Sequence, residues 1–151
     1  MFSLEWLTDL PIRSFHEGER IISEGTRSET LLFLKKGRVE VVREMTRVAV
    51  IRTQGSVIGE LSILLNRPTT AEVFALEDTE FFVAEDPLDF LRKNPEVNLQ
   101  VSRTLAYRLN AASEYLVDVK DQLNGCSDHV GMVDGVLGAI LHRDLKRKVE
   151  A

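Results

Sequence analysis

GSVIGELSILLNRPTTAEV, residues 55–73, is the segment around which the rest of this chain is organised. Gly55 and Gly59 frame a short β-type pair, Val57 and Ile58. One turn of strong helix formers, 60–65, follows Gly59, and Asn66-Arg67-Pro68 stops it. The chain then resumes as strand from Thr69. A glycine opening a short helix lets a ligand approach the backbone closely. It also aims N–H groups at that ligand, which suits an anion such as a phosphate. The same pattern equally serves as a tight strand-to-strand connection with one helical turn.

On both sides of this stretch lie short β-rich runs divided by glycine or polar turns. The segments 20–23, 30–35, 38–44, 47–53, 57–58, 70–76 and 80–84 are the expected strands. Lys36-Gly37 separates two of them and is expected to be a hairpin turn. Val39 and Val41 alternate with Glu40, the pattern of a strand with one wet face. Strands of this length and spacing predict an antiparallel barrel or jelly roll.

Helices are expected outside the barrel. Residues 1–10 carry Phe2, Leu4, Trp6, Leu7 and Leu10 among polar residues and read as a short amphipathic segment. Residues 87–94 read as a short helix that ends before Pro95, and 96–123 as a long one without internal Gly or Pro. Along it Leu105, Leu109, Ala112, Leu116, Val119 and Leu123 follow alternating spacings of four and three, a heptad seam. The seam is expected to pair two copies of the chain from Ala112 onward, as a homodimer. Asn124-Gly125 stops the long helix, and 130–148 suggest a second amphipathic helix that could dock a protein partner. Gly131, Gly135 and Gly138 weaken it by about 1 kcal/mol each against alanine. Two regions follow: a domain over 1–123, and a linker with a C-terminal amphipathic helix over 124–151.

Composition removes several classes of function. At 151 residues and 44% apolar, the chain can bury the core of one domain. A net charge of −5 argues against a nucleic-acid surface, and no apolar run approaches a membrane span. The N-terminus has no secretory signal pattern, and the single cysteine, Cys126, fits a reducing cytoplasm. An inward metal cluster needs several His and carboxylates, yet only His16 of three histidines lies in the barrel region. No metal site and no catalytic constellation is expected. Ser127-Asp128-His129 has triad residue types, but neighbours in sequence cannot converge as a triad does, and the run reads as a helix N-cap.

Gly59-Glu60-Leu61-Ser62 followed by Pro68-Thr69-Thr70-Ala71 resembles the phosphate-binding cassette of the cyclic-nucleotide-binding domain family. The likeness extends through Phe15, Gly18-Glu19, Ile21, Gly25, Leu32, Gly37 and Gly55, and covers roughly residues 12–123. It implies a mainly β fold with flanking helices, an antiparallel jelly-roll barrel plus a long C-terminal helix. It also implies roles by position. Glu60 would accept the ribose 2′-hydroxyl, and Gly59 would allow close approach. The N–H groups of Leu61 and Ser62 would face ribose or phosphate, and Thr70 would bond the phosphate. One departure stands out: where the family has an arginine on the cyclic phosphate, this chain has Thr69, with Arg67 two residues earlier. Thr69 could offer a neutral hydroxyl instead.

The resemblance implies a non-enzymatic sensor of cAMP, cGMP or a similar small anion. Binding would draw the 60–65 helix inward, move the 87–94 helix and reposition the long one. Fewer than 30 residues follow 123, too few for a helix-turn-helix reader, so no DNA contact is expected. A domain that has lost its ligand and serves as a dimeric interaction platform is the alternative.

Overall fold

The computed structural model describes residues 4–123 and, beyond them, positions 131, 132, 135, 136, 138 and 140. Among the described residues, eight strands form two antiparallel four-stranded sheets. The first holds β1 (Ile12–Phe15), β8 (Thr79–Ala84), β3 (Leu31–Lys36) and β6 (Val57–Ile58), in that order. The second holds β2 (Arg20–Ile22), β7 (Glu72–Ala75), β4 (Val39–Arg43) and β5 (Thr46–Ile51). The expected antiparallel β architecture with flanking helices is what the chain adopts.

The core lies between the sheets. Leu32, Leu34, Phe81 and Val83 from the first sheet meet Val39 and Val73 from the second, with Ile58 among them. Phe15 packs its ring edge-on to Phe81 at 5.9 Å between centroids. Because side chains alternate along a strand, Leu31 and Phe33 point to the opposite face of β3 from Leu32 and Leu34. There Phe33 meets Phe90 at 6.1 Å, and all four residues are buried. Burial on both faces explains why β3 reads as an unbroken apolar run rather than an alternating one.

Two turns differ from the sequence reading. Lys36-Gly37 does not close a hairpin: β3 is flanked by β8 and β6, and β4 by β7 and β5, so this turn carries the chain between sheets. β3 already has a neighbour on each side, and its doubly buried face could not be shared with the half-wet β4. The hairpin is instead β4–β5, closed by Glu44 and Met45, both with positive φ of 49° and 63°. Two positive angles are what a two-residue turn of matching twist requires, normally supplied by Asn-Gly. Met45 is 98% exposed there. Of the N-terminal segment expected over 1–10, residues 1–3, Phe2 among them, lie outside the described residues; the rest forms a 3-10 turn over Leu4–Trp6, with Leu7 buried just after it.

Helix α1 spans Glu60–Leu65, α2 Pro87–Lys93 and α3 Pro95–Gln122. α2 starts with Asp86 accepting the Asp89 N–H through Oδ1 at 3.4 Å and with Pro87 in the first turn. Asp86→Ala is expected to lower stability by about 1 kcal/mol, a fall of roughly 3 °C in thermal midpoint. Unchanged melting by circular dichroism would show that this cap contributes nothing.

The chain divides into two units, Met1–Ser102 and Arg103–Ala151. In the first, Val97 and Val101 of α3 are buried. In the second, Leu109 and Ala112 of the expected seam are exposed, and Leu116, Val119 and Leu123 are half-buried. Tyr107 and Tyr115 are exposed as well. Most of the helix expected over 130–148 lies outside the described residues, as do Cys126, Ser127, Asp128 and His129. No described helix is long and apolar enough to cross a membrane.

Candidate ligand-binding cassette

The cassette begins where β6 leaves the first sheet. Gly55 donates to the Leu34 carbonyl at 2.7 Å, Leu34 donates to Ser56 at 2.9 Å, and β6 then pairs with β3. Gly59 follows with φ of 89°, a left-handed angle that glycine adopts without strain. A Cβ there would sit 3.3 Å from the Thr30 carbonyl oxygen, so the position is tight as well as turned. Gly59 caps α1, and its carbonyl accepts the Ile63 N–H. By helix geometry the N–H groups of Leu61 and Ser62 therefore have no partner within α1. Asn66 ends the helix in the left-handed region at φ 51°.

Within this frame the sequence-singled residues separate into two sets. Glu60, Ser62 and Thr69 are buried, and Glu60 is the one charged side chain buried among the described residues. Leu61, Arg67 and Thr70 are exposed. Among the described residues, no group of three or more His, Cys, Asp or Glu could hold a metal ion. His16 lies on the surface with Nδ1 3.6 Å from Asp78.

The loop of residues 23–28, which follows β2, touches the cassette repeatedly. Thr69 Oγ1 donates to the Ser23 carbonyl at 2.5 Å, and Thr69 N donates to the Thr26 carbonyl at 2.7 Å. The Thr69 carbonyl in turn accepts the Gly25 N–H at 2.8 Å. Ser62 Oγ accepts the Ser28 N–H at 2.9 Å and donates to the Arg67 carbonyl at 2.6 Å. Arg27 Nη1 donates to Asn66 Oδ1 at 2.6 Å. A hydroxyl has a single proton, so Thr69, already donating to Ser23, can only accept from a guest. Beside these contacts, a cleft of about 310 Å³ opens between Arg27, Ser28, Ser62, Asn66 and the start of α2 at Asp86 and Leu88.

Sequence reasoning singled out Gly25 in this loop but not Ser23, Thr26, Arg27 or Ser28. Their partners lie 34 to 46 positions away, and Ser23, Thr26 and Ser28 take part through backbone groups that leave no trace in residue type.

The family profile described as cyclic nucleotide-binding domain matches residues 12–88. The cyclic AMP receptor protein of Thermus thermophilus is 29% identical over 106 residues, 66% of this chain and 49% of that protein. Lysophospholipase NTE1 of Chaetomium globosum is 27% identical over 136 residues, which is 86% of this chain but 8% of the enzyme. The chain thus spans half or less of these relatives. In structure it resembles the Thermus thermophilus catabolite activator protein, with TM-score 0.66 and 21% identity over 95% of this chain and 82% of that one. At that identity the likeness bears on the fold.

Proposed function

The chain belongs to the cyclic nucleotide-binding domain family, and from that membership we propose a non-enzymatic regulatory domain that takes cAMP, cGMP or a similarly small anion at the 59–70 cassette. The observation that carries this reading is Glu60, buried immediately after the left-handed Gly59. A buried carboxylate beside a bare backbone is suited to accept a sugar hydroxyl. The N–H groups of Leu61 and Ser62, and the Thr70 hydroxyl, would serve the phosphate. Arg67, exposed two residues before Thr69, is the nearest cation in sequence that could reach it.

Binding on these terms is weak. A charged hydrogen bond is worth about 1.5–3 kcal/mol, so a site without the family's arginine loses roughly one to two decades of affinity. Full conversion of a two-state switch takes about 5.5 kcal/mol of differential affinity. The response is therefore graded, passing from α1 through α2 to α3, with two copies paired along Leu109, Ala112, Leu116, Val119 and Leu123. The domain would work in the cytoplasm, with the 130–148 segment docking a protein partner.

Titration calorimetry with cAMP and cGMP tests the ligand. Saturable heat is expected in the micromolar to sub-millimolar range, and Glu60→Gln is expected to weaken it about tenfold. A flat trace up to millimolar nucleotide rejects the sensor. It would favour a ligand-free dimeric platform, a reading that the inward-turned Thr69 hydroxyl supports.

A further inference from the structure

We propose that residues 23–28 and the cassette form one cooperative unit, fastened by the buried hydroxyls of Ser62 and Thr69, and that this loop, not apolar packing, positions the cassette. This goes beyond the sensor reading and holds whether or not a nucleotide binds.

Helix α1 lacks the means by which most helices are held in place. At six residues it is too short to persist alone in water. Its leucines do little to anchor it, since Leu61, Leu64 and Leu65 are 50%, 44% and 57% exposed. The residues it does bury are Glu60 and Ser62, both polar. Hydrophobic burial, which fixes most protein helices, is thus largely missing here.

What replaces it is the set of bonds from 23–28. Ser62 Oγ is a bridge: it takes the Ser28 N–H and passes its own proton to the Arg67 carbonyl, tying loop, helix and the exit from the helix together. Thr69 is fixed at three points, two through the backbone and one through its hydroxyl. Arg27 ties the same loop to Asn66 at the helix end. Side chains and backbone groups that satisfy one another in this way open together rather than singly. The same loop lines the cleft that reaches Asp86 and Leu88 at the start of α2. Anything that displaces the cassette therefore drags residues 23–28 with it and alters that cleft.

Native-state hydrogen exchange of the full chain without ligand tests this, using Ser62→Ala and Thr69→Val. Alanine is the better helix former, so absent the bridge Ser62→Ala would slow exchange in α1 or leave it alone. The expected result is the reverse. The amides of Gly25, Ser28 and Thr69 speed up together by roughly tenfold, although Gly25 and Thr69 keep their own acceptors. Thr69→Val is expected to do the same, while Thr69→Ser, which keeps the hydroxyl, stays at the parent rate. Leu34 and Val83 amides, bonded to Ser56 and Pro11, serve as the reference and should not move. Acceleration confined to Ser28, no acceleration, or an equal rise at Leu34 and Val83 would each overturn the proposal.

Discussion

Thr69→Arg is expected to tighten cAMP binding ten- to a hundredfold, measured by calorimetry against the parent chain. The physical basis is the restored cation. A guanidinium offers a phosphate two parallel charged hydrogen bonds, the strong end of the range of about 1.5–3 kcal/mol, whereas the Thr69 hydroxyl has no proton left to give. The backbone of residue 69 stays placed for the task, because its N–H and carbonyl bond Thr26 and Gly25, and a roughly tenfold rise in opening without the hydroxyl still leaves both bonds formed nearly all the time. Loss of the bond from the hydroxyl to Ser23 costs about 1 kcal/mol in stability, which should appear as a slightly lower melting temperature. On the proposed reading, affinity should gain because the new charge would meet the phosphate where residue 69 now offers only a neutral group. Unaltered affinity in a folded variant would mean that the phosphate does not lie against residue 69, and the cassette reading would go with it.

That prediction could be framed from the sequence because Gly59-Glu60 and Pro68-Thr69-Thr70 carry the family resemblance that marks position 69, while local pattern dictates the turn, the helix and its stop. The elements with a strong local cause were legible in the same way. β3 announces itself by Leu31 to Leu34, α2 by Pro87 with Asn94-Pro95 behind it, and α3 by its unbroken run. β1 was missed because Ile12, Arg13 and Ser14 are all exposed and carry no alternation that burial would impose. The Glu44-Met45 turn was missed because its two positive angles fall on residues that favour neither, and only the pairing of β4 with β5 compels them. The inter-sheet crossing at Lys36-Gly37 was misread for a related reason: a glycine turn looks the same whether the strands it joins pair with each other or with others. The fastening of Thr69 to Ser23 was invisible because its acceptor is a backbone carbonyl 46 positions away. Local chemistry is written in residue types, and long-range partnership is not.

The crossing at Gly37 also carries the largest expected loss of stability. Its φ of 101° lies outside the region that L residues favour, and a Cβ there would come within 2.9 Å of Asp78 O and Thr79 Cα. Neither is the end of a flexible side chain. Thr79 is fully buried at the start of β8, its hydroxyl donates to the Glu77 carbonyl at 2.7 Å, and β8 is held between β1 and β3. To admit a methyl group, either the turn must move away from β8 or the first residue of a central strand must leave its register. Strain at such an angle costs about 1–3 kcal/mol and overpacking a further 1–3 kcal/mol. Gly37→Ala is therefore expected to destabilise the protein by about 3 kcal/mol or more, lowering the thermal midpoint by roughly 10 °C. Gly18→Ala separates the two terms, because Gly18 shares the unusual angle, at φ 84°, but a Cβ there meets nothing within 4 Å. It should cost only about 1 kcal/mol. If the two variants melt together, crowding against β8 adds nothing to the cost of the backbone angle at Gly37.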